Sequence, residues 1–153
     1  MNVLHTLLNL PPRFSGHGLN HEGERFAGVL TLQPLVNATA LMLHYTATLA
    51  DGRQVHTEAT LLGKNTEGKL CLWPVMEELP YVLPHALISA SPQGPDGFEA
   101  RFASGPREAL GQFREEITIA LGSGGTLTYA HSWGLPNGSF EERSSCEMLP
   151  SET

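Results

Sequence analysis

Apolar and polar residues alternate along this chain in short runs, broken by glycine, proline, asparagine and aspartate at intervals of roughly 8–14 residues. Alternation with a period of two marks strands with one buried face, and turn signals at that spacing predict an all-β sandwich or barrel. Strands are expected at residues 16–22, 25–33, 41–49, 54–62, 69–75, 85–91, 98–104, 112–121, 126–133 and 139–148, with a short piece near 79–83. About ten strands is more than a small sandwich usually carries. Only residues 3–10 read as helical, with Val3, Leu4, Leu7 and Leu8 at helix-face spacing. A helical opening followed by a meander of hairpins predicts a closed, antiparallel up-and-down barrel. The expected domain is single and spans residues 1–153, with residues 1–13 as an N-terminal helical plug and lead-in. Closure removes exposed strand edges, and a barrel of this size can hold one small ligand.

Two hairpins carry most of the candidate chemistry. Asp51-Gly52 between alternating runs is a strong hairpin signal. A two-residue loop there sets Ala47 opposite His56 and Tyr45 opposite Glu58. Leu41, Leu43, Tyr45, Ala47 and Leu49 then share a face with Gln54, His56, Glu58 and Leu62. With that face inward, His56 and Glu58 project into the barrel beside Tyr45, whereas a one-residue slip turns both to solvent. In the second hairpin, Gly122-Ser123-Gly124-Gly125 reads as a four-residue turn, which pairs His131 with Glu116 and stacks Arg114 on Trp133. Leu127, Tyr129, His131 and Trp133 form one stripe; Phe113, Ile117, Ile119 and Leu121 form a cleaner apolar one. The first stripe is either the polar wall of a cavity or a surface ladder, and the apolar stripe favours the ladder. Trp73 is a further candidate for a cavity wall. Arg143, in the last strand, suits either an anionic ligand or a surface ion pair.

Charge narrows the partners. Nine Lys and Arg against 16 Asp and Glu give a net charge of −7, the wrong sign for a nucleic-acid binder. Lys64 and Lys69 are the only lysines, and no basic cluster exists for anionic lipid. No run of apolar residues is long enough for a membrane span, and the opening segment lacks the positive start of a signal peptide. A cytoplasmic protein is expected, with Cys71 and Cys146 reduced and buried. No Gly-x-Ser-x-Gly elbow, phosphate-cradling loop or dinucleotide fingerprint is present. His17 and His21 are four apart, but in what reads as a strand, so they share no helix face. His56 and Glu58, two apart on a strand, could chelate a metal, yet the sequence offers no third ligand with them, and no metal is expected.

Phe14-Ser15-Gly16-His17-Gly18 resembles the aromatic-x-Gly-x-Gly start of the nitrobindin-like, fatty-acid-binding-protein-like branch of the calycins. The turn and His-x-Glu that follow in that family are similar to Asp51-Gly52 and His56-Thr57-Glu58. A Glu-rich strand, a glycine turn and Leu127-Thr128-Tyr129 continue the same order. The resemblance implies a ten-stranded, lipocalin-like barrel with an internal pocket. Pro12 stands where the family has its first glycine, and Phe14 where it has tryptophan. Haem-binding members use a histidine of the final strand as axial ligand, and residues 139–148 contain none, so no haem or other cofactor is expected. The lipocalin Gly-x-Trp is missing, and so is the Arg-x-Tyr clamp of fatty-acid binders, since Arg143-Ser144-Ser145 has no tyrosine.

Three functional readings follow. The first is a binding module for a small, mostly apolar molecule, with Tyr45, His56 and Glu58 orienting its polar end and Trp73, His131, Trp133 and Arg143 as further contacts. The second is a structural or interaction protein, a homodimer joined through a strand face or the N-terminal segment. The third is an enzyme with His56 as general base and Glu58 as its partner.

Overall fold

Asn2 starts the helix α1 (Val3–Leu8) by accepting the His5 amide at 3.0 Å, which satisfies one of the donors a helix start leaves open. The helix stops two turns later, ahead of Pro11 and Pro12, whose rings exclude further helical hydrogen bonds. The computed structural model describes residues 2–152; Met1 and Thr153, the ends of the expected domain, lie outside the described residues.

The remaining chain forms ten antiparallel strands: β1 (Arg13–Leu19), β2 (Arg25–Leu35), β3 (Ala40–Leu49), β4 (Gln54–Lys64), β5 (Leu70–Met76), β6 (His85–Gln93), β7 (Gly97–Ala103), β8 (Arg114–Leu121), β9 (Leu127–Gly134) and β10 (Glu141–Pro150). Each pairs with its sequence neighbours, and β1 pairs with β10 to close the barrel. Residues 79–83 form no strand; they belong to the connection between β5 and β6. These two strands pair only at Cys71 with Ala86 and Leu72 with His85, the thinnest seam of the wall.

The closing seam explains the Gly16-x-Gly18 motif. A Cβ on Gly16 would collide with the Glu147 carbonyl, and one on Gly18 with the Ser145 carbonyl and the Phe26 ring. Both glycines permit β10 to approach β1 closely enough to pair, Gly16 opposite Met148 and Gly18 opposite Cys146. Phe14, Leu30, Leu43, Phe102, Ile119 and Tyr129 are among the fully buried residues that fill the interior. Val3, Leu4 and Leu7 join them from α1, which packs against β2 and β3 at the end where β1 begins.

Both hairpins differ from expectation by one residue. Between β3 and β4 the loop has three residues, not two: Leu49 and Arg53 bond at 2.8 Å, and Gly52 alone takes a positive φ, of 91°. A bulge beyond Thr48–Gln54 absorbs the extra residue, so Ala47 still faces His56 and Tyr45 still faces Glu58. The bulge leaves Gln54 exposed rather than inward. Between β8 and β9 the turn is instead shorter than expected. Gly122 donates to Thr126 at 2.8 Å, and Gly124 and Gly125 both take positive φ, closing a three-residue loop. No bulge compensates here. His131 therefore pairs with Ile117, not Glu116, and Arg114 with Gly134, not Trp133. The two stripes of this hairpin consequently share one face. Ile117, Ile119, Tyr129 and His131 are all buried, and the expected surface ladder does not exist.

Candidate functional site

β4 directs His56, Glu58 and Thr60 inward by simple alternation. Glu58 is only 2% exposed, and an unpaired carboxylate so deep would be strongly unfavourable. Four donors offset that cost. Its Oε1 accepts from His56 Nε2 at 3.0 Å and from His131 Nε2 at 2.9 Å. Its Oε2 accepts from the Thr60 and Tyr129 hydroxyls. Burial alone would raise the Glu58 pKa, but the imidazoles of His131 and His56 hold it well below the usual carboxylate range.

His56 is gripped from both sides. Nδ1 lies 2.8 Å from Oε1 of Glu78, in the connection after β5, while Nε2 faces Glu58. Burial favours the neutral ring, but the hydrogen bonds to Glu58 and Glu78 outweigh it and lift the pKa to about 10. Glu78 is lowered in turn, burial opposing and His56 prevailing. Tyr45 packs its ring 4.8 Å from that of Tyr129 and 5.8 Å from that of His56. Its buried hydroxyl has no hydrogen-bond partner, and burial pushes its pKa up.

Above this cluster the barrel is hollow. A cavity of about 770 Å³ opens at the end opposite α1, and His56 and His131 line it together with Tyr45 and Glu78. Phe26, Val55, Met76, Phe113, Trp133 and Leu135 supply apolar wall; His21, Glu22, Glu24 and Arg53 also line it. Glu58 lies beneath the two imidazoles, not on the cavity surface. Arg143 lines the cavity, yet its guanidinium is already engaged. It sits 4.7 Å from the Trp133 ring and donates to the Trp133 and Ser139 carbonyls at 3.1 and 2.8 Å. Trp73, expected on the cavity wall, lies outside it: Leu62 pairs with Leu72 on the inner face, so Trp73 pairs with Leu61 on the outer one.

Three contributors were missed in the sequence. Thr60 continues the alternation His56–Glu58–Thr60 and was within reach of that argument. Glu78 sits in an irregular connection, where periodicity says nothing. The buried pair of His85 and Glu115, at 2.9 Å, joins the start of β6, beside the thin seam, to β8. Glu116, expected to meet His131, instead binds Arg101 at 2.7 Å and Arg107 at 2.6 Å outside the barrel.

The residues do not fit a haem held from the last strand. The inward positions of β10 carry Ser144, Cys146 and Met148, and the latter two are buried in the core. Cys146 packs against Gly28 beside Tyr45. Cys71 and Cys146 are both buried free thiols. No helix among the described residues is long and apolar enough to cross a membrane.

No protein-family model matches the chain, and no curated protein matches it. Its structure is similar to the crystal structure of Rv2717c from M. tuberculosis, with a TM-score of 0.76 and 13% identity over 99% of each chain. A likeness at that identity speaks to fold alone, and the ten-stranded antiparallel barrel they share fits a calycin-like architecture.

Proposed function

We propose that this barrel binds one small, mostly apolar molecule in its open cavity, with the polar end of that molecule meeting His56 and His131. The observation that carries the reading is the cavity itself: about 770 Å³ of largely apolar wall ending on two imidazoles. Ligand sites commonly occupy about 300–1,000 Å³ and pair apolar walls with a few polar groups that fix orientation. Glu58 acts through the imidazoles, since its oxygens already accept four hydrogen bonds. A His56 raised to about 10 is an imidazolium at neutral pH. With both N–H groups engaged by Glu58 and Glu78 it offers the polar end of a ligand its positive charge, and it lacks the free lone pair that a general base requires.

The test uses an environment-sensitive apolar fluorophore. One molecule should bind per chain, and His56→Ala should weaken it about tenfold, through loss of the imidazolium charge and ring that the polar end of the ligand meets. Ala47→Phe places a ring in the cavity beside His56 and should abolish binding. Undiminished binding to Ala47→Phe would place the fluorophore elsewhere and overturn the reading.

A further inference from the structure

The polar base of the cavity has the composition of a metal site. From the geometry we infer that His56, Glu58 and His131 bind a divalent first-row transition-metal ion through His56 Nε2, Glu58 Oε1 and His131 Nε2. The inference goes beyond ligand binding and stands on the cluster alone.

The three donor atoms lie within 4.8 Å of one another, and the two N···O separations are 3.0 and 2.9 Å. For metal–ligand bonds of about 2.0–2.1 Å, donors at right angles lie about 2.9 Å apart and tetrahedral donors about 3.3 Å. Both N···O separations are therefore close to those of ligands that share one ion. The donors come from opposite parts of the wall, β4 and β9, so the barrel and not local sequence holds them together.

The surrounding groups are the stronger argument. A ligating histidine ordinarily donates its other ring N–H to a carboxylate or carbonyl, which fixes the tautomer and aims the lone pair. His56 has that arrangement: Nδ1 lies 2.8 Å from Glu78, leaving Nε2 to face the centre of the cluster. The non-ligating oxygen of Glu58 is held by Thr60 and Tyr129, which fixes the carboxylate. Both imidazoles line the cavity, so the remaining coordination positions open toward it. Two imidazoles and one carboxylate favour zinc, cobalt(II) or iron(II) over magnesium or calcium, which prefer all-oxygen shells. Those open positions suit water or an oxygen or nitrogen donor of a cavity-bound molecule.

Cobalt(II) chloride added to chelator-treated full-length protein provides the test, because the visible absorption of cobalt reports its ligands. One ion per chain is expected, displaced by zinc and accompanied by proton release. His131→Asn and Glu58→Gln should each weaken cobalt more than about 100-fold, and Glu78→Gln about 10–100-fold, the usual range for a group that orients a ligand. His17→Ala with His44→Ala, both exposed outside the cavity, should leave it unchanged. Circular dichroism confirms that each variant folds; if Glu58→Gln does not, His131→Asn and His56→Asn decide. No cobalt spectrum, or one unaffected by His131→Asn, overturns the metal site. Fluorophore binding to the same chelator-treated protein reads the cavity separately. A protein that binds the fluorophore but fails to bind added cobalt overturns this inference and leaves the binding function standing; one that binds cobalt but no fluorophore does the reverse.

Discussion

His131 on β9 donates to Oε1 of Glu58 on β4 at 2.9 Å, across the interior of the barrel and between residues 73 apart in the chain. That contact converts two strand-local side chains, His56 and Glu58, into a three-residue cluster at the base of an open cavity. Its electrostatics, its support and its accessibility can each be measured.

Stability of the chelator-treated protein should fall as the solution becomes alkaline. His56 is raised from 6.5 to about 10, so its contribution is complete below about pH 6.5 and is lost as pH rises through 10. Glu58 is depressed below 4.5, so its contribution is complete above that value and is lost as pH falls through its lower folded one. Urea denaturation of wild type and His56→Gln between pH 6 and 10 checks the first limb. The two curves should converge toward pH 10, and a constant gap between them contradicts the pairing of His56 with Glu58 and Glu78.

Arg114 should resist even conservative replacement. It is 2% exposed, and its guanidinium donates to the carbonyls of Arg107, Gln112, Leu135 and Gly138 at 2.8–3.0 Å. It thereby joins the loop before β8 to the turn after β9, at the cavity mouth. A lysine ammonium lacks the planar fork that reaches four acceptors at once. Arg114→Lys should destabilise the protein by about 3 kcal/mol or more through buried carbonyls left unpaired. It should also weaken fluorophore binding, since Phe113 and Leu135 line the cavity. A loss below about 1 kcal/mol in urea denaturation contradicts this role.

The two tryptophans should report different surfaces. Trp133 lines the cavity beneath the Arg143 guanidinium, whereas Trp73 lies on the outer wall. Filling the cavity should change the intrinsic fluorescence of wild type and of Trp73→Phe equally. In Trp133→Phe the change should vanish. A response that follows Trp73 would move the ligand to the outside of the barrel.

The same comparison shows what alternation along a chain can reveal. The inward face of β3 and β4 was legible because Leu41, Leu43 and Leu49 declare it, and because a bulge cancelled the misjudged loop length. The β8–β9 register was not legible, because the run Gly122–Gly125 admits loops of three or four residues. The choice rests on Gly124 and Gly125 both adopting positive φ, which glycine allows at either length. One residue of slip reassigned His131 from a surface pair with Glu116 to the interior. The third member of the cluster was thus hidden by turn geometry, and Glu78 by lying outside any periodic element. Trp73 was misplaced for a different reason: Leu70, Cys71 and Leu72 are all apolar, so the run does not show which face of β5 turns inward.

The most direct test of the account is the imidazole nitrogen spectrum of ¹⁵N-labelled protein, recorded as the apolar fluorophore is titrated into the cavity. The His56 and His131 resonances should shift with the same saturation curve as the fluorescence, while those of His17 and His44 stay fixed. Saturable fluorophore binding with His56 and His131 unmoved would contradict a cavity that ends on these two rings.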